Sequence, residues 1–269
     1  MKIAIQERRP LVKLLSSIRK IINIQTIVVT ALAVISTYYC RSRGYEANFP
    51  LTIIGIAVVF PVVFSISGAY KRRENALNHY GSLKGNGRAI YLAVRDWQAE
   101  PDEELLKGTR DSLTGLLAAC RDMLASPLEH SDESIVLEAF STISLLIKEL
   151  RKAGMSAGEL SRVNQYLEKM LIAYERIKHI YQYRTPRTLR AYSKLFIYLL
   201  PPLYGPYFAH ISSDLRPVFA YMMPAIFSIV LVSLDNIQDH LENPFDQVGE
   251  DDILINAEKF GESLWQVKK

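Results

Sequence analysis

Seven carboxylates fall within eighteen residues near the C-terminus: Asp235, Asp239, Glu242, Asp246, Glu250, Asp251 and Asp252. Carboxylate and carbonyl oxygens gathered over a short loop are the ligands that a hard cation such as calcium takes. The spacing is not that of an EF-hand loop, and an acidic run more often forms a solvated face or pairs with nearby lysines. The five histidines, His79, His130, His179, His210 and His240, are scattered, none at metal-ligand spacing from another. Cys40 and Cys120 read as two space-filling thiols, with no zinc spacing. Glycine-rich phosphate loops, Gly-x-Ser-x-Gly, His-Glu-x-x-His and Cys-x-x-Cys are all missing from the sequence. Nothing in the chain proposes a catalytic constellation, and the expectation is that it is not an enzyme.

A second pattern is physical rather than reactive. Thr52, Ile56 and Phe60 recur every four residues, and Val63 and Ser67 extend the same helical face. Brought together from several subunits, such a row makes stacked apolar rings, a constriction that gates by dewetting. The alternative is a row that packs against a neighbouring helix.

The segment that carries this row, residues 47–70, has no charged side chain and is followed at once by Lys71, Arg72 and Arg73. About twenty apolar residues cross a hydrocarbon core. Further spans are expected at 21–39, 195–209 and 217–234, the third of them short and broken by Pro201, Pro202 and Pro206. Lysine and arginine crowd the stretch before the first span and the stretch after the second. The expected topology is therefore four spans with both termini cytoplasmic, in the cell membrane. Two spans plus two buried helices is the alternative.

Between residues 79 and 185 the pattern is amphipathic and helical. One stripe is Leu105, Leu106, Leu113, Leu116, Leu117, Cys120 and Leu124. Another is Ile135, Leu137, Phe140, Ile143, Leu146, Ile147 and Leu150. The third runs Leu160, Val163, Leu167, Leu171, Tyr174, Ile177, Tyr181. Ser156 and Glu159 have capping-box spacing. The chain is 49% hydrophobic and 22% charged, with mean hydropathy +0.06, which suits membrane spans joined to charged soluble helices. A net charge of +4, without aromatic residues interleaved in a basic stripe, gives no reason to expect nucleic acid. The expected class is all-α. The expected organisation is 1–78 with the first helix pair, 79–190 as a cytoplasmic bundle, 191–236 with the second helix pair, and 237–269 as an acidic tail.

Glu242-Asn243-Pro244-Phe245, followed by Gly249-Glu250-Asp251-Asp252-Ile253, resembles the bestrophin signature of Asn-Pro-Phe and acidic residues. Arg73-Glu74-Asn75 is similar to the acidic-Asn pair that follows the family's pore helix. Tyr174-Glu175-Arg176-Ile177 with Thr185-Pro186 is similar to the prokaryotic branch, where Cys usually stands in place of Tyr174. The resemblance implies a homopentamer in membrane lipid that conducts inorganic ions through one central pore. Chloride is the first expectation and sodium the alternative. A non-conducting membrane-anchored interaction protein is a further alternative. The resemblance places the neck rings at Thr52, Ile56 and Phe60, with Thr52 where a large apolar residue is usual, and a cytosolic aperture at Met155. No cofactor is required. A calcium clasp, if kept, would fall on Asn243, Asp246, Asp251 and Asp252, and the inserted Asp246-Gln247-Val248 counts against tight binding.

Overall fold

The computed structural model describes residues 22–48, 51–98, 102–127, 132–183, 186–212, 217–246 and 252–266, the side chains at 51, 53, 54, 187, 217 and 218 excepted. Every regular element among the described residues is a helix: α1 Ile24–Arg43, α2 Leu51–Asp96, α3 Glu103–Ala125, α4 Ser134–Lys152, α5 Ala157–Gln182, α6 Arg187–Leu203, α7 Gly205–Ile211, α8 Pro217–Glu242 and α9 Ala257–Trp265. They form two compact units. The first takes residues 1–70 and 185–242, the second 71–184 and 243–269. Helix α2 contributes to both.

In the first unit α1 packs against α6, α7 and α8. The core is Val29, Val58, Val62, Ile197, Leu200, Tyr204, Phe208, Leu231 and Val232. Among the described residues, α1 and the part of α8 from Phe219 to Glu242 are long and apolar enough to cross a membrane. The mild polar residues of α1 act as clamps between helices. Asn23 caps α1 through the Thr26 N–H, and its amide donates to Asn236 Oδ1 at 2.9 Å. The Tyr198 hydroxyl lies 2.9 Å from Gln25 Oε1 and 2.8 Å from Asp235 Oδ2.

The proline-rich run that sequence reads as one weak span is two elements. Pro201 and Pro202 lie in the last turn of α6, the chain turns at Tyr204, and α7 begins at Gly205. Pro206 has no N–H to give the carbonyl of Pro202 four residues earlier. The Ser36 hydroxyl of α1 donates to that carbonyl at 2.7 Å.

In the second unit the three amphipathic stripes become α3, α4 and α5, joined by α9, around a core with Leu116, Ile143, Val163, Tyr174 and Phe260. The capping box at Ser156 and Glu159 is formed in both directions. Two details depart from the expected stripes. Ile135 and Leu137 are exposed and Val136 between them is buried, because the buried line of α4 is Val136, Phe140, Ile143 and Leu150. Leu171 is also exposed. Cys40 and Cys120 are both free and buried, and burial pushes the Cys120 thiol up to about 12. Leu116 is fully buried. Leu116→Ala should cost about 2–5 kcal/mol through lost apolar contact and the cavity left behind. Chemical denaturation of the purified protein measures it, and a loss well under 1 kcal/mol would contradict this packing.

Candidate functional site

Helix α2 has two faces up to Tyr70. Val58, Val62, Ser65 and Ala69 are buried. At about 100° per residue these four point one way, and Thr52, Ile56, Phe60, Val63 and Ser67 point the other. All five of the latter are exposed. Ile56 is 52% exposed and Phe60 58%, so neither is spent on packing within its own unit. Phe60 meets Phe64 with ring centroids 5.9 Å apart. No described side chain on this face is charged until Lys71, so the helix presents an uncharged strip about five turns long.

Met155 is different. It is 7% exposed and belongs to the core of the second unit. Its place follows from the turn after α4, where Gly154 takes φ 88° and the Met155 N–H donates to the Leu150 carbonyl. That geometry tucks the side chain under the helix ends, so within a single chain Met155 is a core residue.

The acidic run is divided. Asp235, Asp239 and Glu242 lie on the last turns of α8 and face α6. Lys194 Nζ is 2.7 Å from Asp239 and 3.9 Å from Asp235, and Arg190 pairs with Glu242 at 2.5 Å. Asp235 and Glu242 are buried. These carboxylates join two helices. Beyond them, Asn243 Oδ1 accepts from the Phe245 N–H at 3.4 Å, and the Ile253 N–H donates to the Pro244 carbonyl at 2.7 Å. Phe245, Ile253 and Ile255 enter the core of the second unit. Asp246 and Asp252 are half-buried, and Asp251 lies outside the described residues. Calcium takes six to eight oxygen ligands, and among the described residues no group of three or more His, Cys, Asp or Glu is gathered.

The second unit also brings together residues that sequence spacing keeps apart. Asn75 and His79 of α2 share a cleft of about 530 Å³ with Leu171, Glu175, Arg176 and His179 of α5. Asn75 of one family-like motif and Glu175 and Arg176 of another thus line one cleft. Glu175 is engaged by Lys178 at 2.8 Å. His179 stacks on Tyr183 with centroids 4.5 Å apart. Burial, then the Arg176 guanidinium, hold His79 below the usual histidine value. An imidazole whose folded pKa is depressed leaves the unfolded chain to take up the proton first. Stability present above pH 6.5 should therefore fall as pH drops from 6.5 through the lower folded value. Melting curves of the wild type and His79→Gln across pH 5–8 check this. The wild type should lose more on acidification, and parallel curves would contradict it.

No protein-family model matches the chain, and no curated protein matches it by sequence. Solved structures do. A bacterial bestrophin homologue from Klebsiella pneumoniae superposes with TM-score 0.76, covering 89% of this chain and 96% of that one, at 16% identity. A single-residue variant of the Klebsiella homologue gives 0.77, covering 92% and 100%. The fold is that of the bestrophins. A structure described as a membrane protein, at TM-score 0.74 and 16% identity, covers the same 89% of the chain. The bestrophin likeness thus spans both compact units, from the membrane-type helices to the helical bundle. At 16–17% identity it carries the backbone and leaves the side chains to be read from this chain itself.

Proposed function

We propose that the chain is a passive ion channel of the bestrophin type. Five copies surround one axial pore, and Thr52, Ile56 and Phe60 form its hydrophobic neck. The observation that carries this reading is the uncharged, exposed row on α2 opposite the face buried in its own unit. Such a row needs an apolar or dewetted neighbour, and around a shared axis it becomes a stack of rings. Four spans place the helical bundle and both termini in the cytoplasm, in keeping with the basic residues at 71–73 and before the first span. Ions shed part of their water at the Ile56 and Phe60 rings. The positive edge of a phenyl ring favours an anion there, so chloride is the proposed ion. Thr52 contributes a hydroxyl to the outer ring and makes it wetter than the two below.

No cofactor enters this mechanism. Calcium held by Asn243, Asp246, Asp251 and Asp252 would raise the melting temperature as its concentration rises, and the reading expects no such shift. Selectivity is tested by reversal potential in liposomes under a sodium chloride gradient. A value near the chloride equilibrium potential supports the proposal. A value near that of sodium replaces it with a cation channel on the same scaffold, and absence of current from a correctly inserted protein rejects conduction.

A further inference from the structure

A cleft of about 390 Å³ in the second unit lies between α2 and α9. Lys84, Arg88 and Lys259 line it with Tyr80, Asn256 and Ser263, and no carboxylate is among its lining residues. None of the three cations has a carboxylate partner among the described residues. The acids of α9 face elsewhere: Glu258 and Glu262 line a different cleft with Arg110, and Glu258 is held by Arg121 at 2.8 Å. The cations are positioned by their surroundings. Lys84 Nζ sits 4.3 Å from the centre of the Tyr80 ring, and the Arg88 guanidinium sits 5.7 Å from that of Phe260. Arg88 Nη2 also donates to Ser263 Oγ at 3.3 Å, and Ser263 is anchored in turn on the Phe260 carbonyl. Asn256 spends its Oδ1 capping α9 through the Lys259 N–H at 2.7 Å, which leaves its amide N–H groups to donate.

We propose that this cleft binds a phosphate-bearing anion, with Lys84, Arg88 and Lys259 supplying the charge, Asn256 a neutral donor and Ser263 the orientation of Arg88. A halide would satisfy one such cation. Three cations on two helices match a ligand with several oxygens and at least two negative charges, and the guanidinium fork suits phosphate geometry. Burial and then the neighbouring Arg88 depress the Lys84 ammonium, as expected where like charges gather without a counter-ion. The site is independent of the proposed pore and does not require that the protein conduct.

The test is calorimetric titration of the full-length protein in detergent with two probes, pyrophosphate and dihexanoyl phosphatidic acid. Lys259→Gln changes an exposed side chain at no cost to packing, and Lys84→Gln changes the side chain over Tyr80. Removal of one charge-assisted contact should weaken binding about tenfold. Binding of pyrophosphate that both variants weaken supports a site for a soluble phosphate compound. Binding of the lipid alone, weakened in the same way, supports a phospholipid headgroup. Failure of both probes to bind, or equal binding by wild type and both variants, overturns the proposal.

Discussion

Ile56→Ala is expected to raise unitary conductance roughly tenfold. In the proposed pentamer the substitution would trim five side chains from one apolar ring. A barrier lowered by about 1.4 kcal/mol gives that factor. Phe60→Ala should act in the same direction and should also weaken the proposed anion preference, because the ring edge assigned to that preference goes with it. The control sits on the other face of the same helix. Val62 is fully buried, so Val62→Ala should cost about 1–2 kcal/mol of stability and leave conductance near that of the wild type. Single-channel recording in planar bilayers separates the two faces. Unchanged conductance in Ile56→Ala, or a larger change in Val62→Ala, would remove the row from the ion path.

Gly205→Ala is expected to cost about 3 kcal/mol, the largest single effect in the first unit. A Cβ at Gly205 would lie 2.3 Å from Ser36 Oγ and 3.0 Å from the Ser36 carbonyl carbon. The hydroxyl could swing away, but the backbone carbon could move only with α1. Overpacking of this kind costs about 1–3 kcal/mol. Displacing Ser36 also breaks its part-buried hydrogen bond to the Pro202 carbonyl, a further loss of about 0.5–1.5 kcal/mol. The Ser36→Gly and Gly205→Ala double variant should recover part of the loss. Thermal unfolding of the four proteins of the cycle measures the coupling. Additive losses would show that the close approach of α1 and α7 is not what opposes the methyl group.

The legible features are those set by local pattern. The charge-free stretch before Lys71, the capping box at Ser156 and the buried lines through Leu116, Ile143 and Val163 could all be read directly, since helical period and cap chemistry act over a few residues. What could not be read depends on tertiary neighbours. Lys71, Arg72 and Arg73 suggest the end of a span, yet α2 continues to Asp96 because basic residues are good helix formers and nothing there breaks the backbone. The carboxylates of α8 read either as a solvated face or as partners for nearby lysines, and α6 decides between them by supplying Arg190 and Lys194. The inward direction of Met155 depends on the glycine turn before it, which no helical period announces. His79 and His179 lie a hundred residues apart and line one cleft only because α2 and α5 are neighbours. The row Thr52, Ile56 and Phe60 is legible as a row; what it faces in the proposed pentamer depends on neighbouring copies.

The most direct test of that assembly is a density map of the purified protein in lipid nanodiscs, viewed down its symmetry axis. The account predicts five subunits around an open axial passage, with the side chains of Thr52, Ile56 and Phe60 turned into it as successive rings. A map in which that row faces lipid or another helix, or in which no passage runs along the axis, would contradict it.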